Sequence, residues 1–295
     1  MNINTFSIVV GNGVCNCSCP FCVARMTGKS QEQKDNKEIN WRNFRKACLL
    51  AQQGGANTAL LTGKGEPTLY PTEIEEYASH LNEAKFPIVE LQTNGFKVYR
   101  DLVDNRAKYL RTWYKLGLTT FCLSIVHFDS IRNREIYRPG SELFVDIPML
   151  VGMLHKLGFT VRLNCMAVDG YIDTVSEFKN LVNFCQNYKV EQLTIRPISV
   201  PDENVNKDDA VRDWTLKHSV KISESFSYIV NEVKTYGKEI LRLPHGASVY
   251  DYNGQNVCIN NCLTVNTAEN EIRQLIFYKN GRIAFDWAYQ GAIIL

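Results

Sequence analysis

The sequence predicts an α/β fold, a partial (β/α)6 TIM-like barrel with a small C-terminal cap, on three observations. Apolar, strand-like runs alternate with amphipathic helical patterns through the first 200 residues, which implies parallel strands joined by right-handed crossovers. One face of the later strands carries polar groups, whereas the lumen of a closed eight-stranded barrel is packed with apolar side chains. The alternation then stops at a polar, charged stretch, Pro201 to Asp213, and shorter strand patterns follow.

In chain order, the predicted strands are Thr5 to Val10, Thr58 to Thr62, Ile88 to Thr93, Thr119 to Val126, Thr160 to Ala167 and Gln192 to Pro197. The helical patterns between them are Trp41 to Gln53, Pro71 to Ala84, Asp101 to Leu116, Glu142 to Leu157 and Val175 to Tyr188. Successive side chains in a strand point to opposite faces. By that parity Glu90, Gln92, Asn94, Ser124, Arg162, Asn164, Thr194 and Arg196 share the inward side. Val89, Leu91, Leu123, Ile125, Val161, Leu163, Leu193 and Ile195 face the helices. An open, ligand-holding lumen explains this split; a flat doubly wound sheet with polar strand ends is the alternative. Residues 1–200 thus form the core, and residues 201–295 a linker, a long helix from Ser219 to Tyr236, and a cap with a hairpin turn on Asn280-Gly281.

With 295 residues, 45% hydrophobic and 22% charged, the chain buries one sizeable core. Thirty-three Lys and Arg against 31 Asp and Glu leave a net charge of +2, too balanced for bulk nucleic-acid binding. The start lacks a secretory signal and no run of about 18 apolar residues occurs, so no membrane partner and a cytoplasmic address are expected. Four of the ten cysteines fall within eight residues, which favours a metal site over a disulfide framework.

In CNCSCPFC, the thiols Cys15, Cys19 and Cys22 stand at C-x3-C-x2-C just after the first strand, and Cys17 falls out of register. Three thiolates on a short loop can ligate three irons of a cubane and leave the fourth iron open. Zinc is the alternative, since CxC and CxxC pairs also suit a tetrahedral thiolate site. A Cys19/Cys22 dithiol oxidoreductase is a third reading, without the surrounding pattern in which Cys-x-x-Cys opens a helix.

With Phe21 just before its last cysteine, this loop resembles the signature of the radical S-adenosylmethionine (SAM) superfamily. The resemblance implies a 4Fe-4S cluster on Cys15, Cys19 and Cys22, SAM on the open iron, hydrogen abstraction from substrate, and an external electron donor such as flavodoxin or ferredoxin. Gly63, Lys64, Gly65 and Glu66, after the second strand, resemble the family's glycine-rich SAM segment. The Thr93-Asn94-Gly95 strand end is similar to another family segment, and Ser124, Asn164 and Arg196 stand where related enzymes contact SAM. Val161 to Pro201 resembles the corresponding stretch of the GTP cyclase of molybdenum-cofactor biosynthesis, within a likeness covering about residues 5 to 200.

The likeness fails at the C-terminus. Cys258 and Cys262 stand at C-x3-C, but the last cysteine of that cyclase's second cluster is missing. Cys48, Cys122, Cys165 and Cys185 lie inside helix and strand patterns and read as small apolar residues. The five histidines lack ligand spacing, and only His127 lies at a strand end near the site. Arg132, Arg134 and Arg138 crowd the loop after the fourth strand and read as a solvated surface; facing the lumen they would favour an anionic ligand. The expected function is therefore radical SAM chemistry on a small, nucleotide-like substrate of anionic character. Peptide modification and a zinc-stabilised non-enzymatic binding protein are the alternatives.

Overall fold

In a computed structural model, described for residues 2–27, 38–140, 143–201, 208–243, 246–260, 271–287, 289 and 291–295, the period-two runs become strands of one sheet. They are β1 (Asn2–Val9), β2 (Thr58–Thr62), β3 (Ile88–Thr93), β4 (Thr120–Ile125), β5 (Thr160–Ala167), β6 (Gln192–Pro197), β7 (Lys238–Arg242), β8 (Ser248–Tyr252), β9 (Gln255–Ile259), β10 (Glu271–Phe277) and β11 (Ile283–Ala284). Their order is β11-β10-β1-β2-β3-β4-β5-β6-β9-β8-β7, so β11 and β7 are the two ends and the sheet does not close. Strands β1 to β6 pair in sequence order and in parallel, as the barrel prediction requires.

The helices are α1 (Val23–Met26), α2 (Trp41–Gln53), α3 (Pro71–Glu83), α4 (Phe96–Val103), α5 (Tyr109–Lys115), α6 (Ser130–Tyr137), α7 (Ile147–Lys156), α8 (Val175–Asn187) and α9 (Asp209–Tyr236). The apolar strand faces meet them: Val89, Leu91, Leu123, Val161, Leu163, Leu193 and Ile195 are all buried. Each such side chain contributes roughly 1.5–3 kcal/mol. Phe44 of α2 packs between Phe6, Tyr77 and Phe277, joining β1, α3 and β10 in one aromatic cluster.

Several boundaries differ from the sequence prediction, each for a local reason. The expected helix Asp101 to Leu116 is two helices, because Asn105 takes a left-handed φ of 56° between them. The expected helix from Glu142 starts at Ile147, where Asp146 accepts the Met149 N–H and Pro148 occupies the first turn. The arginine loop after β4 contains α6, capped by Asp129, which accepts from Ile131 N and Arg132 N. The long helix starts at Asp209, ten residues before Ser219, because Asp208 caps it.

What the sequence marks as a C-terminal cap is built into the sheet. Strand β9 pairs in parallel with β6 and β10 in parallel with β1, so the C-terminal segment lengthens the wall at both edges. The Asn-Gly hairpin forms as expected: Gly281 has φ 92° and Tyr278 N–H donates to Arg282 O between β10 and β11. Cys262, His245 and residues 202–207 of the expected linker lie outside the described residues.

Candidate functional site

The cysteine loop leaves β1 and is held on two sides by backbone. On one side Glu66 N–H donates to Val14 O at 2.9 Å. A Cβ on Gly65 would run into that same carbonyl, and one on Gly63 would lie 2.9 Å from Val10 O. Glycine is therefore required at Gly65 for the two loops to touch. On the other side Ser18 N–H donates to Tyr137 O at 3.0 Å, Gly140 N–H donates to Asn16 O, and Cys17 bridges Pro139, tying the loop to the end of α6. Phe21, buried, packs edge-on to Tyr137 at 6.1 Å and against Trp214 of α9.

The glycine segment and the β3 end are fastened by Glu66. Its Oε1 accepts from Thr68 N, Thr68 Oγ1 and Thr93 Oγ1, and its Oε2 accepts from Asn94 N at 2.9 Å. Burial pushes the Glu66 carboxyl above its ordinary range, against the pull of those donors. Its carboxylate thus accepts from four donors of the protein's own. Asn94 continues the chain of contacts: its Nδ2 donates to Asn16 Oδ1 at 2.7 Å and lies 3.4 Å from Cys17 Sγ, and its Oδ1 accepts from Phe96 N. Lys64 is half-buried on the same segment.

None of the described cysteines is in a disulfide, and Cys15 is exposed at the rim. A hydrogen bond with Cys17 holds the Cys15 thiol below its usual value, and that same contact raises Cys17. Burial raises Cys19 and Cys22. Among the described residues no three His, Cys, Asp or Glu side chains form a ready-made metal site. The fit to a cluster rests on donor chemistry: three unbridged thiols on one loop, beside Asn16 Nδ2, which is buried without a partner.

Strand register sorts the lumen into layers. In the lower layer Arg162 Nη1 pairs with Glu90 Oε2 at 3.0 Å, and Gln92 Nε2 donates to Glu90 Oε1. Above it Ser124, Asn164, Thr194 and Cys258 stand directly opposite one another across β4, β5, β6 and β9. Ser124 and Asn164 have no side-chain hydrogen bond to another described residue, although Asn164 is only 8% exposed. Ser124 is half-buried, and neither side chain has a buried polar atom without a partner, so both stay accessible from the lumen. Arg196, one step higher, rests its Nε against Met166 Sδ at 3.2 Å.

Arg132, Arg134 and His127 are otherwise engaged. Arg132 donates to Gly170 O at 2.6 Å and reaches His127 Nε2 at 2.8 Å, with Glu177 beside both; Arg134 donates to Leu143 O. Burial, then the Arg132 charge, lowers the His127 pKa. Arg138, exposed, takes φ 48° at the end of α6. Sequence reasoning missed Thr68 and Thr93 as partners of Glu66, and Cys258 as a lumen residue, because these depend on strand pairing. No helix among the described residues is long and apolar enough to cross a membrane.

The fold is an open, mostly parallel partial barrel with a thiol loop and a glycine segment in contact at one end. A family model, that of the radical SAM superfamily, matches residues 9–185, and the chain belongs to that superfamily, whose members are enzymes that use SAM and an iron–sulfur cluster. Among solved structures, Streptococcus suis SuiB bound to the precursor peptide SuiA is similar at TM-score 0.62 and 16% identity, covering 98% of this chain and 61% of SuiB. The SuiB complex with SAM gives a TM-score of 0.59 at 16% identity, covering 98% and 60%. AdoMet-bound anSMEcpe gives 0.53 at 13% identity, covering 98% and 76%. The chain thus spans about 61% of the length of SuiB. No curated protein matches it.

Proposed function

We propose that this chain reductively cleaves SAM at a 4Fe-4S cluster on Cys15, Cys19 and Cys22 and abstracts hydrogen from a small, nucleotide-like substrate at the lumen mouth. The observation that carries this reading is the unpartnered pair Ser124 and Asn164, facing the lumen on the side where β1 gives way to the cysteine loop. When bound, cluster and SAM supply a carbon-centred radical able to take hydrogen from a C–H bond. The chain's own work is positioning. Gly63 and Gly65 let the backbone of the glycine segment reach the cofactor, while Ser124, Asn164 and Arg196 orient its polar groups. Phe21 keeps the cysteine loop packed against Tyr137. Positioning is enough for hydrogen transfer, so no side-chain acid or base is assigned. A one-electron donor such as flavodoxin or ferredoxin and a cytoplasmic, reducing setting suit this chemistry.

A peptide substrate is the second reading, favoured by a hydroxyl-lined cavity beside the ends of β6 and β9. The chemistry is tested by purifying the protein without oxygen, assaying iron, sulfide and zinc, and measuring 5'-deoxyadenosine from SAM under reduction. The expected result is near four irons per chain, lost in Cys19→Ala, with deoxyadenosine formed. Stoichiometric zinc and no cluster after reconstitution would overturn the proposal.

A further inference from the structure

A helix crossing the outside of a sheet ordinarily turns an apolar stripe inward. Helix α9 does so with Ile222, Phe226, Ile229 and Val233, which are buried. Beside that stripe Ser219, Ser223, Ser227 and Asn231 follow one another every four residues, about 6 Å apart along the axis. They face a cavity of about 860 Å³, within the size range of small-ligand sites. Its floor is the helix-facing side of the sheet, where Tyr250 lies opposite the buried Val257, and Ser248 opposite Ile259. Ser199, just past β6, has its Oγ buried there without a partner.

The lining restricts the ligand. Among its described lining residues there is no carboxylate and one charged group, Lys234, too little for a polyphosphate. What remains is a neutral or singly anionic ligand rich in hydrogen-bonding groups. Ser219 Oγ donates to Leu216 O and Ser227 Oγ donates to Glu224 O, so both hydroxyls present lone pairs outward as acceptors. An extended peptide presents N–H groups on one side every second residue, about 6.6–6.8 Å apart, close to the serine repeat. Phe226 and Tyr250 provide apolar walls for alternate side chains.

We propose that this cavity binds an extended peptide segment, its N–H groups donating to the serine ladder of α9 and an acidic side chain or C-terminus lying towards Lys234. The proposal deepens the peptide reading of the function and rests on it. It is tested with the anaerobically reconstituted full chain and an mRNA-displayed library of random ten-residue peptides, followed by fluorescence polarisation on a labelled enriched peptide. Enriched peptides should share an acidic position and bind Ser223→Trp at least tenfold more weakly. The double variant Ser219→Ala/Ser227→Ala, which removes the acceptors with little change of volume, should weaken binding at least fivefold. Both variants should keep the parent's iron content and circular dichroism. No enrichment, equal binding by the double variant, or selective binding of oligosaccharides from a glycan array would overturn the peptide assignment. Peptide binding by a preparation without cluster or SAM cleavage would instead sink the radical function and leave the cavity's role standing.

Discussion

Replacing Glu66 with Gln keeps size and hydrogen-bonding shape but changes one atom that matters. In the native site Oε1 accepts three hydrogen bonds and Oε2 accepts the Asn94 N–H. The Gln carbonyl can retain the three Oε1 contacts, but its NH2 then confronts the Asn94 N–H, leaving two buried donors face to face. Each unsatisfied buried group costs about 1–3 kcal/mol, so a loss of roughly 2–6 kcal/mol is expected, reduced by relief of the buried charge. A chain of this size loses about 2 °C of melting temperature per kcal/mol, giving a fall of roughly 4–12 °C by circular dichroism before that relief. The pH dependence supplies a second readout. A carboxyl whose folded pKa lies above its ordinary 4.5 contributes stability that is complete below that value and is lost as pH rises through the folded pKa. Glu66→Gln should remove that slope. Because Asn94 also reaches Asn16 and Cys17, iron loading should fall as well. A variant that melts within 1 °C of the parent and loads the same iron would refute the role assigned to Glu66.

Three further outcomes are expected. Asn164→Ala should weaken SAM binding about five- to tenfold by calorimetry while moving the melting temperature by less than 2 °C, because the amide has no partner among the described residues to lose. Gly65→Ala should abolish iron loading, since its Cβ would run into Val14 O and push the two loops apart. Arg162→Met should destabilise by about 3–5 kcal/mol in denaturant unfolding by stranding the Glu90 carboxylate, and adding Glu90→Met should recover most of the loss.

The cysteine loop and the glycine segment were legible because their chemistry lies in short-range spacing. Strand parity was legible too, since it needs only the two-residue repeat, and it placed Ser124, Asn164 and Arg196 on one side. Which inward groups stay unpartnered was not legible. Glu90 meets Arg162 only because β3, β4 and β5 pair at one particular register, and that same register leaves Ser124 and Asn164 without partners. Arg132 read as a solvated loop residue. The Asp129-Ser130 cap signal marks the helix that holds it, but its contacts with Gly170 O and Glu177 come from a different strand–helix unit.

The C-terminal strands show how far a local pattern falls short of a place in the fold. Periodicity finds β9 and β10 as strands but cannot say that one joins β6 and the other β1. That pairing has two consequences. It covers both edges of the six-strand core, which would otherwise present rows of unpaired N–H and C=O groups. It also brings Cys258 into the lumen row beside Thr194, where burial raises the thiol's pKa against the smaller opposing pull of the Arg162 and Arg273 charges. The wall of the site is therefore completed by residues beyond position 200. The segment where the likeness to the cyclase lapses is the one that finishes the lumen, so substrate selection is best sought there, while the cofactor contacts proposed above lie on the six strands before it.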